Sequence, residues 1–236
     1  MEKTVKVTYL YNSGFVVELG TNALVFDYYT DKADCLSDIL QKYKSVYFFV
    51  SHSHFDHWNP AIGKFSQNVR KYFLSYDIHN METLPGEKTV VMNEYDEYKS
   101  DMITVKSYSS TDAGISFLVS IEGWNIFHAG DFNWWHWKGD TEKNNAFARN
   151  GFLKQMKKIA GMEADIAFFP LDRRLEEYCD WGVKEFCRQT NVDNIIAMHN
   201  AGRQAWPLKT NASDGRHTNV WSPELSGETI IIKKDR

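Results

Sequence analysis

The chain of 236 residues is long enough to bury a sizeable core without disulfide or metal staples. Its 43% hydrophobic and 25% charged residues are typical of a globular protein and exclude a disordered or membrane-spanning chain. The formal net charge of -4 argues against a nucleic-acid partner held by bulk positive charge. The N-terminus has no apolar signal run, and the three cysteines lack a Cys-x-x-Cys spacing. We therefore expect a cytoplasmic protein with reduced thiols and no membrane partner.

Strand patterns open the chain. Residues 3–10, 15–19 and 23–29 are rich in β-branched and aromatic side chains and are separated by Asn, Ser and Gly turns. Residues 34–44 place apolar side chains at helical spacing, and a short apolar strand follows at 45–51. A helix that leads into a buried strand predicts layered α and β structure.

The same pattern repeats along the rest of the chain. The further elements that we predict are strands at 72–76, 89–92 and 102–108, a hairpin at 115–130, a helix around 145–160, a strand at 164–170, a helix around 181–189, a strand at 194–199, an irregular tail from about 203 to 228, and a last strand at 229–234. Two β-rich halves, about 1–105 and 106–236, fit two sheets packed face to face with helices outside. Because no Pro-rich linker divides them, we expect one domain spanning 1–236.

A cluster of metal-binding side chains follows the strand that ends at Val50. His52, His54, Asp56 and His57 form a His-x-His-x-Asp-His run. The two-residue period of a strand places His52 and His54 on one side, and the following turn brings the others back toward them. Imidazole and carboxylate are ligands that zinc accepts. A His-rich surface loop is the alternative, but the preceding strand and the Asp within the run favour a metal site.

This segment resembles the signature of the metallo-β-lactamase-fold superfamily. The resemblance implies an α/β fold, a four-layer αββα sandwich, with its metal centre between the two halves, and the order of elements extends it over essentially the whole chain. Gly130 and Asp131 end an apolar strand and resemble the family's metal-bridging aspartate motif, and His199 resembles its final histidine ligand. The short N-terminal hairpin and the HAGD motif are most similar to the ascorbate-phosphate lactonase-like branch.

The resemblance also implies that the protein binds one or two divalent metal ions, with Zn as the first candidate and Mn, Ni or Fe as alternatives. The residues that it assigns are His52 and His54 to a first metal, Asp56, His57 and His199 to a second, and Asp131 to both as the bridge. Asp56 and Asp131 are also the candidate catalytic residues, because their carboxylates can orient an attacking water.

One member of the family's ligand set is missing. The family usually adds a third histidine to the first site, and Ser110, Thr111 and Asp112 stand at the expected position. Asp112 either completes the first site with an oxygen ligand or caps the turn before Gly114. The sequence therefore leaves open whether the site holds one metal or two.

Candidate substrate-binding residues lie in two segments after strand ends. The loop at 132–140 holds three tryptophans, which form either an aromatic wall for the substrate or a packed contact with the sheet or with a second subunit of a homo-oligomer. An arginine pair follows another strand and either grips a phosphate or carboxylate or forms a surface ion pair. The candidates are Trp134, Trp135, Arg173 and Arg174.

These features predict a metal-dependent hydrolase acting on a small ester, lactone or phosphoester. Two divalent cations carry a charge of +4, and the carboxylates of Asp56 and Asp131 carry only -2. The centre would therefore have a net positive charge, which favours an anionic substrate. The missing histidine motivates one alternative, a metal-binding sensor or interaction protein with little catalysis. A nuclease is the other alternative, and it requires basic residues around the metal. The basic residues in question are Lys138, Lys143, Arg149, Arg173 and Arg174.

Overall fold

The computed structural model describes residues 3–200 and 218–234, which form two seven-stranded sheets. The first sheet contains β1 (Lys3–Tyr11), β2 (Gly14–Leu19), β3 (Asn22–Phe26), β4 (Ser45–Val50), β5 (Val69–Ser75), β6 (Thr89–Met92) and β14 (Thr229–Lys234). The second contains β7 (Glu97–Lys99), β8 (Ile103–Ser109), β9 (Ile115–Ile121), β10 (Trp124–His128), β11 (Glu163–Pro170), β12 (Asn191–Met198) and β13 (Asn219–Trp221).

Each sheet is antiparallel on one side and parallel on the other. The strand order is β14, β1, β2, β3, β4, β5, β6 in the first sheet and β13, β12, β11, β10, β9, β8, β7 in the second. Strands β3 to β6 pair in parallel, and so do β10 to β13. Parallel strands end at the same edge of a sheet, so the residues that follow them gather there.

Aromatic side chains fill the space between the two sheets. The ring centroids of Phe15 on β2 and Phe168 on β11 lie 4.6 Å apart, and those of Phe49 on β4 and Phe117 on β9 lie 5.5 Å apart. All four side chains are fully buried. Burial of such rings removes a large apolar area from water, which stabilises the packing of sheet on sheet.

Helices cover the outer faces of both sheets. Helix α1 (Leu36–Leu40) buries its apolar side chains on the first sheet. Helices α2 (Glu142–Ile159) and α3 (Trp181–Gln189) cover the second, where Phe186 of α3 stacks on Phe127 of β10 with centroids 5.4 Å apart. Thr141 caps α2 by accepting a hydrogen bond from the Asn144 backbone. The predicted helices near 145–160 and 181–189 are thus confirmed.

The structure differs from the sequence-based expectation at the first helix, at the division between the two sheets, and in the predicted irregular tail, where β13 pairs in parallel with β12. The predicted helix over 34–44 is wrong in length, because α1 ends at Leu40 and Tyr43 turns to donate a hydrogen bond to Glu18. The sheets divide between Met92 and Glu97, not near residue 105, and β14 returns to the first sheet. Residues 201–217, within the predicted irregular tail, lie outside the described residues. In the part of the chain that is described, no helix is long and apolar enough to cross a membrane.

Candidate metal centre

The predicted metal ligands other than Asp112 lie after strands of the parallel halves, whereas Asp112 follows the antiparallel strand β8. His52 follows β4 in the first sheet, while Asp131 and His199 follow β10 and β12 in the second. The structure brings the three together, because His52 and His199 both lie within 3.5 Å of Asp131. Both sheets therefore contribute to one centre.

Two groups of side chains each offer ligand atoms within 4.8 Å of one another. The groups are His52, His54 and Asp131, and Asp56, His57 and His199. Asp131 joins them: its Oδ2 lies 3.5 Å from His52 Nε2, and its Oδ1 lies 3.2 Å from His57 Nε2 and 3.4 Å from His199 Nε2. One carboxylate oxygen thus faces each group.

Two buried polar atoms in the centre lack hydrogen-bond partners among the described residues, which is the arrangement expected of a cation site. Asp131 Oδ1 and His57 Nε2 are buried, and neither has a hydrogen-bond partner among the described residues. Leaving a buried polar atom unpaired costs about 1–3 kcal/mol. A divalent cation between the two atoms satisfies both, and a set of imidazoles and carboxylates suits Zn²⁺.

Asp27, at the end of β3, orients histidines of both groups and was missed by the sequence analysis. Its Oδ2 accepts hydrogen bonds from His57 Nδ1 and from Ser51 Oγ, each at 2.7 Å. Because the Ser51 hydroxyl donates to Asp27, it accepts from His52 Nδ1 at 2.9 Å. Both Nδ1 atoms are thereby held, and both Nε2 atoms face the centre, where His52 Nε2 also lies 3.0 Å from His54 Nδ1. The signal in the sequence was a carboxylate directly after a buried apolar strand.

Asp172 orients His199 in the same way, through a hydrogen bond to its Nδ1 atom. Its Oδ2 accepts from His199 Nδ1 at 3.1 Å, and Arg174 donates to the same carboxylate through Nε and Nη2 at 2.8 and 2.5 Å. Arg174, predicted to bind substrate, is therefore already engaged by a buried carboxylate. On the other side of the centre, Asn12 Nδ2 donates to Asp56 Oδ2 at 3.0 Å.

Asp112 lies at the solvent-facing edge of the first group. Its Oδ2 is 4.0 Å from His54 Nδ1, and both side chains are about half exposed. The structure thus places this carboxylate toward His54, which is the direction that a ligand role requires.

Burial and charge set the protonation of the centre. Burial lowers the pKa of His52 to about 4, so this imidazole is neutral at pH 7. Burial also opposes the charged form of His199, but the carboxylates of Asp131 and Asp172 raise its pKa to about 10. Burial alone would raise the pKa of Asp131, yet the positive charges of His57 and His199 hold it well below its usual range. The metal-free centre therefore attracts positive charge.

Contacts of Gly130 and His128 hold the loop that contains Asp131 in place. Gly130 has a φ of +55°, and an added Cβ would come within 2.8 Å of Ser51 Cβ, so only glycine fits. His128 Nε2 donates to the Ser13 carbonyl at 3.0 Å, and its Nδ1 accepts from the Gly130 backbone N–H at 3.2 Å. His128 therefore supports the loop and does not reach the metal groups.

A cavity of about 600 Å³ opens over both groups. Two of the predicted substrate-binding residues, Trp135 and Arg174, line it together with Asp112. Trp135 Nε1 donates to the backbone oxygen of Asp131 at 2.9 Å, and its ring lies 5.5 Å from that of His199. The indole therefore forms a wall beside the second group.

The other two predicted substrate-binding residues lie elsewhere. Trp134 is not in the wall of this cavity, because its ring packs against Phe152 and Trp181 at centroid distances of 5.9 and 5.3 Å. Arg173 borders a separate cavity of about 170 Å³, which Asp56 also reaches. Residues that the sequence analysis did not select also line the main cavity. They are Phe55, Thr111, Asp140, Asn144, Phe147, Ala148 and Gly151, and Trp137, the third tryptophan of the predicted aromatic wall, lines it too.

No protein-family model matches the sequence. Over 140 residues it is 29% identical to a UPF0173 metal-dependent hydrolase of Pyrococcus furiosus. That match covers 54% of this chain and 61% of the relative, so the chain spans about three fifths of the length of the curated relative.

Solved structures match nearly the whole chain. The metallo hydrolase Igni18 from Ignicoccus hospitalis has a TM-score of 0.66 at 18% identity, covering 98% of this chain and 100% of that one. The metallo-β-lactamase fold protein YhfI from Bacillus subtilis has a TM-score of 0.59 at 11% identity, covering 97% and 99%. This chain has the metallo-β-lactamase fold. The predicted α/β sandwich is thereby confirmed.

A third match, an isothiocyanate hydrolase from Delia radicum gut bacteria, has a TM-score of 0.58 at 14% identity and covers 97% of this chain and all of that one. At such identities a likeness shows the metallo-β-lactamase fold alone. One fold hosts many chemistries, so substrate choice depends on the cavity.

Proposed function

We propose that the protein is a metal-dependent hydrolase that holds two divalent cations, with Zn²⁺ as the first candidate and Mn²⁺, Ni²⁺ or Fe²⁺ as alternatives. One observation carries the proposal: buried Asp131 joins two His/Asp groups on the floor of a cavity, and a polar atom of each of Asp131 and His57 lacks a hydrogen-bond partner. The names of the Pyrococcus relative and of Igni18 support it.

The chain's own residues prepare the centre for hydrolysis. When bound, divalent cations supply Lewis-acid polarisation of the bond under attack and a water nucleophile near neutral pH. Asp27 and Asp172 keep the Nδ1 protons of His57 and His199 in place, so their Nε2 atoms face the centre. Asn12 fixes Asp56 through one carboxylate oxygen, which leaves the other free to orient water.

The proposed substrate is a small ester, lactone or phosphoester whose negative charge lies at the metal centre. Asp112 and Asp140 add negative charge to the cavity wall, and Asp172 offsets the charge of Arg174. A second anionic group on the substrate would meet repulsion at the wall. The lactone or phosphoester class follows the resemblance of the HAGD motif.

Metal binding without catalysis is the second candidate. In the described residues the first group contains only His52, His54 and Asp131, and the His54 side chain is 49% exposed. A panel of ester, lactone and phosphodiester substrates, tested with Zn²⁺, Mn²⁺ and Ni²⁺, separates the two candidates. Inactivity throughout with a fully loaded centre favours the sensor.

The basic side chains give a nuclease less support. Lys138 pairs with Glu176 and Glu177 at 2.7 and 3.4 Å, and Arg174 pairs with Asp172. Their charges are therefore offset within the protein and are not free to bind phosphates. The other basic residues of the predicted set are Lys143, Arg149 and Arg173.

Metal content per chain tests the proposal. We expect about two equivalents of metal in the wild type, and about one in Asp112→Ala if this carboxylate completes the first group. Asp131→Asn should lose metal from both groups together with hydrolysis. Asp140→Ala, which removes a cavity carboxylate outside both groups, is the matched control and should keep full metal content. Full metal content and full rate in Asp131→Asn would overturn the bridging role.

A further inference from the structure

Two unusually exposed phenylalanines border the metal cavity. Phe55 is 77% exposed and Phe147 is 80% exposed, the highest values for large hydrophobic side chains among the described residues. Both line the cavity that contains Asp131. Exposed apolar side chains that gather at one concave site are typical of a ligand-binding surface.

Helix α2 presents a second face to this cavity. Asn144, Phe147, Ala148 and Gly151 line the cavity and lie at positions i, i+3, i+4 and i+7. This spacing places them on one side of a helix. The residues that α2 buries in the core are Phe152, Met156 and Ile159. The apolar side chains on the cavity face are therefore not needed to attach the helix to the sheet.

Gly151 shows that this face is kept open. Glycine destabilises the interior of a helix, yet it stands within α2. An added Cβ would meet nothing within 4 Å, so close packing does not require glycine at this position. The missing side chain leaves space in the cavity wall within one helical turn of Phe147.

A tryptophan pair extends the apolar surface to the metal centre. Trp135 and Trp137 stack with centroids 6.1 Å apart and planes inclined by 9°. Trp135 also contacts His199, and both indoles line the same cavity as the two phenylalanines. The surface therefore runs from a proposed metal ligand to the exposed rings.

We propose that the cavity selects substrates with an uncharged aromatic group, which binds against Phe55, Phe147 and the tryptophan pair while the anionic reacting group lies at the metal centre. This inference rests on the proposed function. Asp131 lies in the same cavity, is 4% exposed and has an unpartnered oxygen that a bound cation would satisfy, so the cation would anchor the anionic end of the substrate. The carboxylates of Asp112 and Asp140 also line the cavity and disfavour a second negative charge on the substrate.

A pair of non-hydrolysable anions tests the inference on zinc-loaded protein by calorimetry. Methylphosphonate and benzylphosphonate both offer phosphonate oxygens in place of the reacting group, and the second adds a ring. We expect benzylphosphonate to bind about tenfold more tightly, since each aromatic contact is worth about threefold or more. Phe147→Ala should reduce this preference, and the double variant with Phe55→Ala should reduce it further, to what the tryptophan pair alone supports. Affinity for methylphosphonate should stay unchanged, and metal content is measured for every variant because Phe55 lies between two proposed ligands.

Two further variants complete the experiment. Gly151→Leu should lower the affinity for benzylphosphonate alone, because its side chain fills the open wall and its Cβ meets no neighbour that would disturb folding. Leu225→Ala removes a side chain that is 70% exposed outside this cavity, and it should keep the full preference for the ring.

The outcomes separate the two proposals. Equal affinity of the wild type for both phosphonates would overturn the aromatic site and leave the metal centre standing. A preference for the ring that is as large in the double variant as in the wild type would overturn it as well. If neither phosphonate binds to protein of verified metal content, the proposed function fails and the aromatic site fails with it.

Discussion

A single carboxylate, Asp27, supports both metal groups through short hydrogen bonds. It contacts His57 directly and His52 through Ser51, whereas Asp172 contacts only His199. We expect Asp27→Asn to weaken metal binding in both groups by about 10–100-fold, because both imidazoles lose their orientation. Asp172→Asn should weaken the second group alone. Competition with a chromophoric chelator measures both affinities.

Asp165 provides a matched control for these two substitutions. Its carboxylate is also buried and accepts a backbone hydrogen bond, from Asn125 at 2.7 Å, but it belongs to neither metal group. Asp165→Asn should keep the metal affinity of the wild type. Metal affinities that agree in Asp27→Asn and Asp165→Asn would contradict the orienting role of Asp27.

At the scale of elements, the turn before β9 positions the segment that contains His52. Gly114 has a φ of +63°, and an added Cβ would lie 2.1 Å from the Ser51 carbonyl oxygen. We expect Gly114→Ala to displace Ser51 and to lower metal content, because a backbone atom cannot move aside cheaply. Elemental analysis of the purified variant checks this.

The variant Gly139→Ala is the control that distinguishes the effect of the contact with Ser51 from the effect of backbone strain. Gly139 has a φ of +82°, which is also left-handed, but an added Cβ would meet nothing within 4 Å. Gly139→Ala should therefore keep its metal, although it carries a similar conformational cost. Equal metal loss in both variants would show that strain, and not the contact with Ser51, is responsible.

Helix α2 gives a prediction for stability. Replacing Gly151 by Ala should raise the free energy of unfolding by about 0.5–1 kcal/mol, because alanine loses less backbone entropy in a helix and meets no neighbour at this position. Denaturant unfolding of the metal-free protein measures the change. A loss of stability would mean that the helix needs glycine for packing.

The sequence alone was enough to predict those metal-binding residues that lie close together in the chain. His52, His54, Asp56 and His57 lie side by side, so one strand end reveals them, whereas Asp27 lies far earlier in the chain. Only the parallel pairing of β3 and β4 brings Asp27 next to Ser51, and a single sequence does not state which strands pair.

Periodicity explains why the cavity face of helix α2 was missed. Residues of this face alternate along the sequence with residues of the buried face, so the two faces together give ordinary helical spacing. Trp134 and Trp135 are neighbours in the chain, yet one packs against the core while the other faces the metal groups. Which of them does so depends on the loop backbone, which composition does not specify.

At the scale of the whole molecule, metal binding should couple the two sheets. His52 and His54 follow a strand of the first sheet, whereas Asp131 and His199 follow strands of the second. A cation that binds only the folded centre stabilises the protein by about 2.7 kcal/mol at a hundred times its dissociation constant. We expect Zn²⁺ to raise the melting temperature of the wild type and to have little effect on Asp131→Asn. Calorimetric melting with and without chelator checks this.

Protons and metal compete for the second group, so its affinity should depend steeply on pH. The pKa of His199 is raised to about 10, so this imidazole is protonated in the metal-free protein near neutral pH, and the carboxylates of Asp131 and Asp27 raise the pKa of His57 as well. Binding must release such protons, and each one released strengthens binding about tenfold per pH unit below its pKa. His52, with a pKa of about 4, has already lost its proton, which makes the first group less sensitive.

Zn²⁺ titrations between about pH 6 and 8 measure this difference, with His52→Ala isolating the second group and His199→Ala isolating the first. The affinity of the second group should rise by about tenfold per pH unit for the His199 proton, and more steeply wherever His57 is protonated too. Because its raised pKa keeps the His199 proton bound until high pH, the rise should continue across this whole range. Equal slopes of Zn²⁺ affinity against pH for the two groups would contradict this prediction. They would show that the carboxylates do not raise the proton affinity of the second group above that of the first.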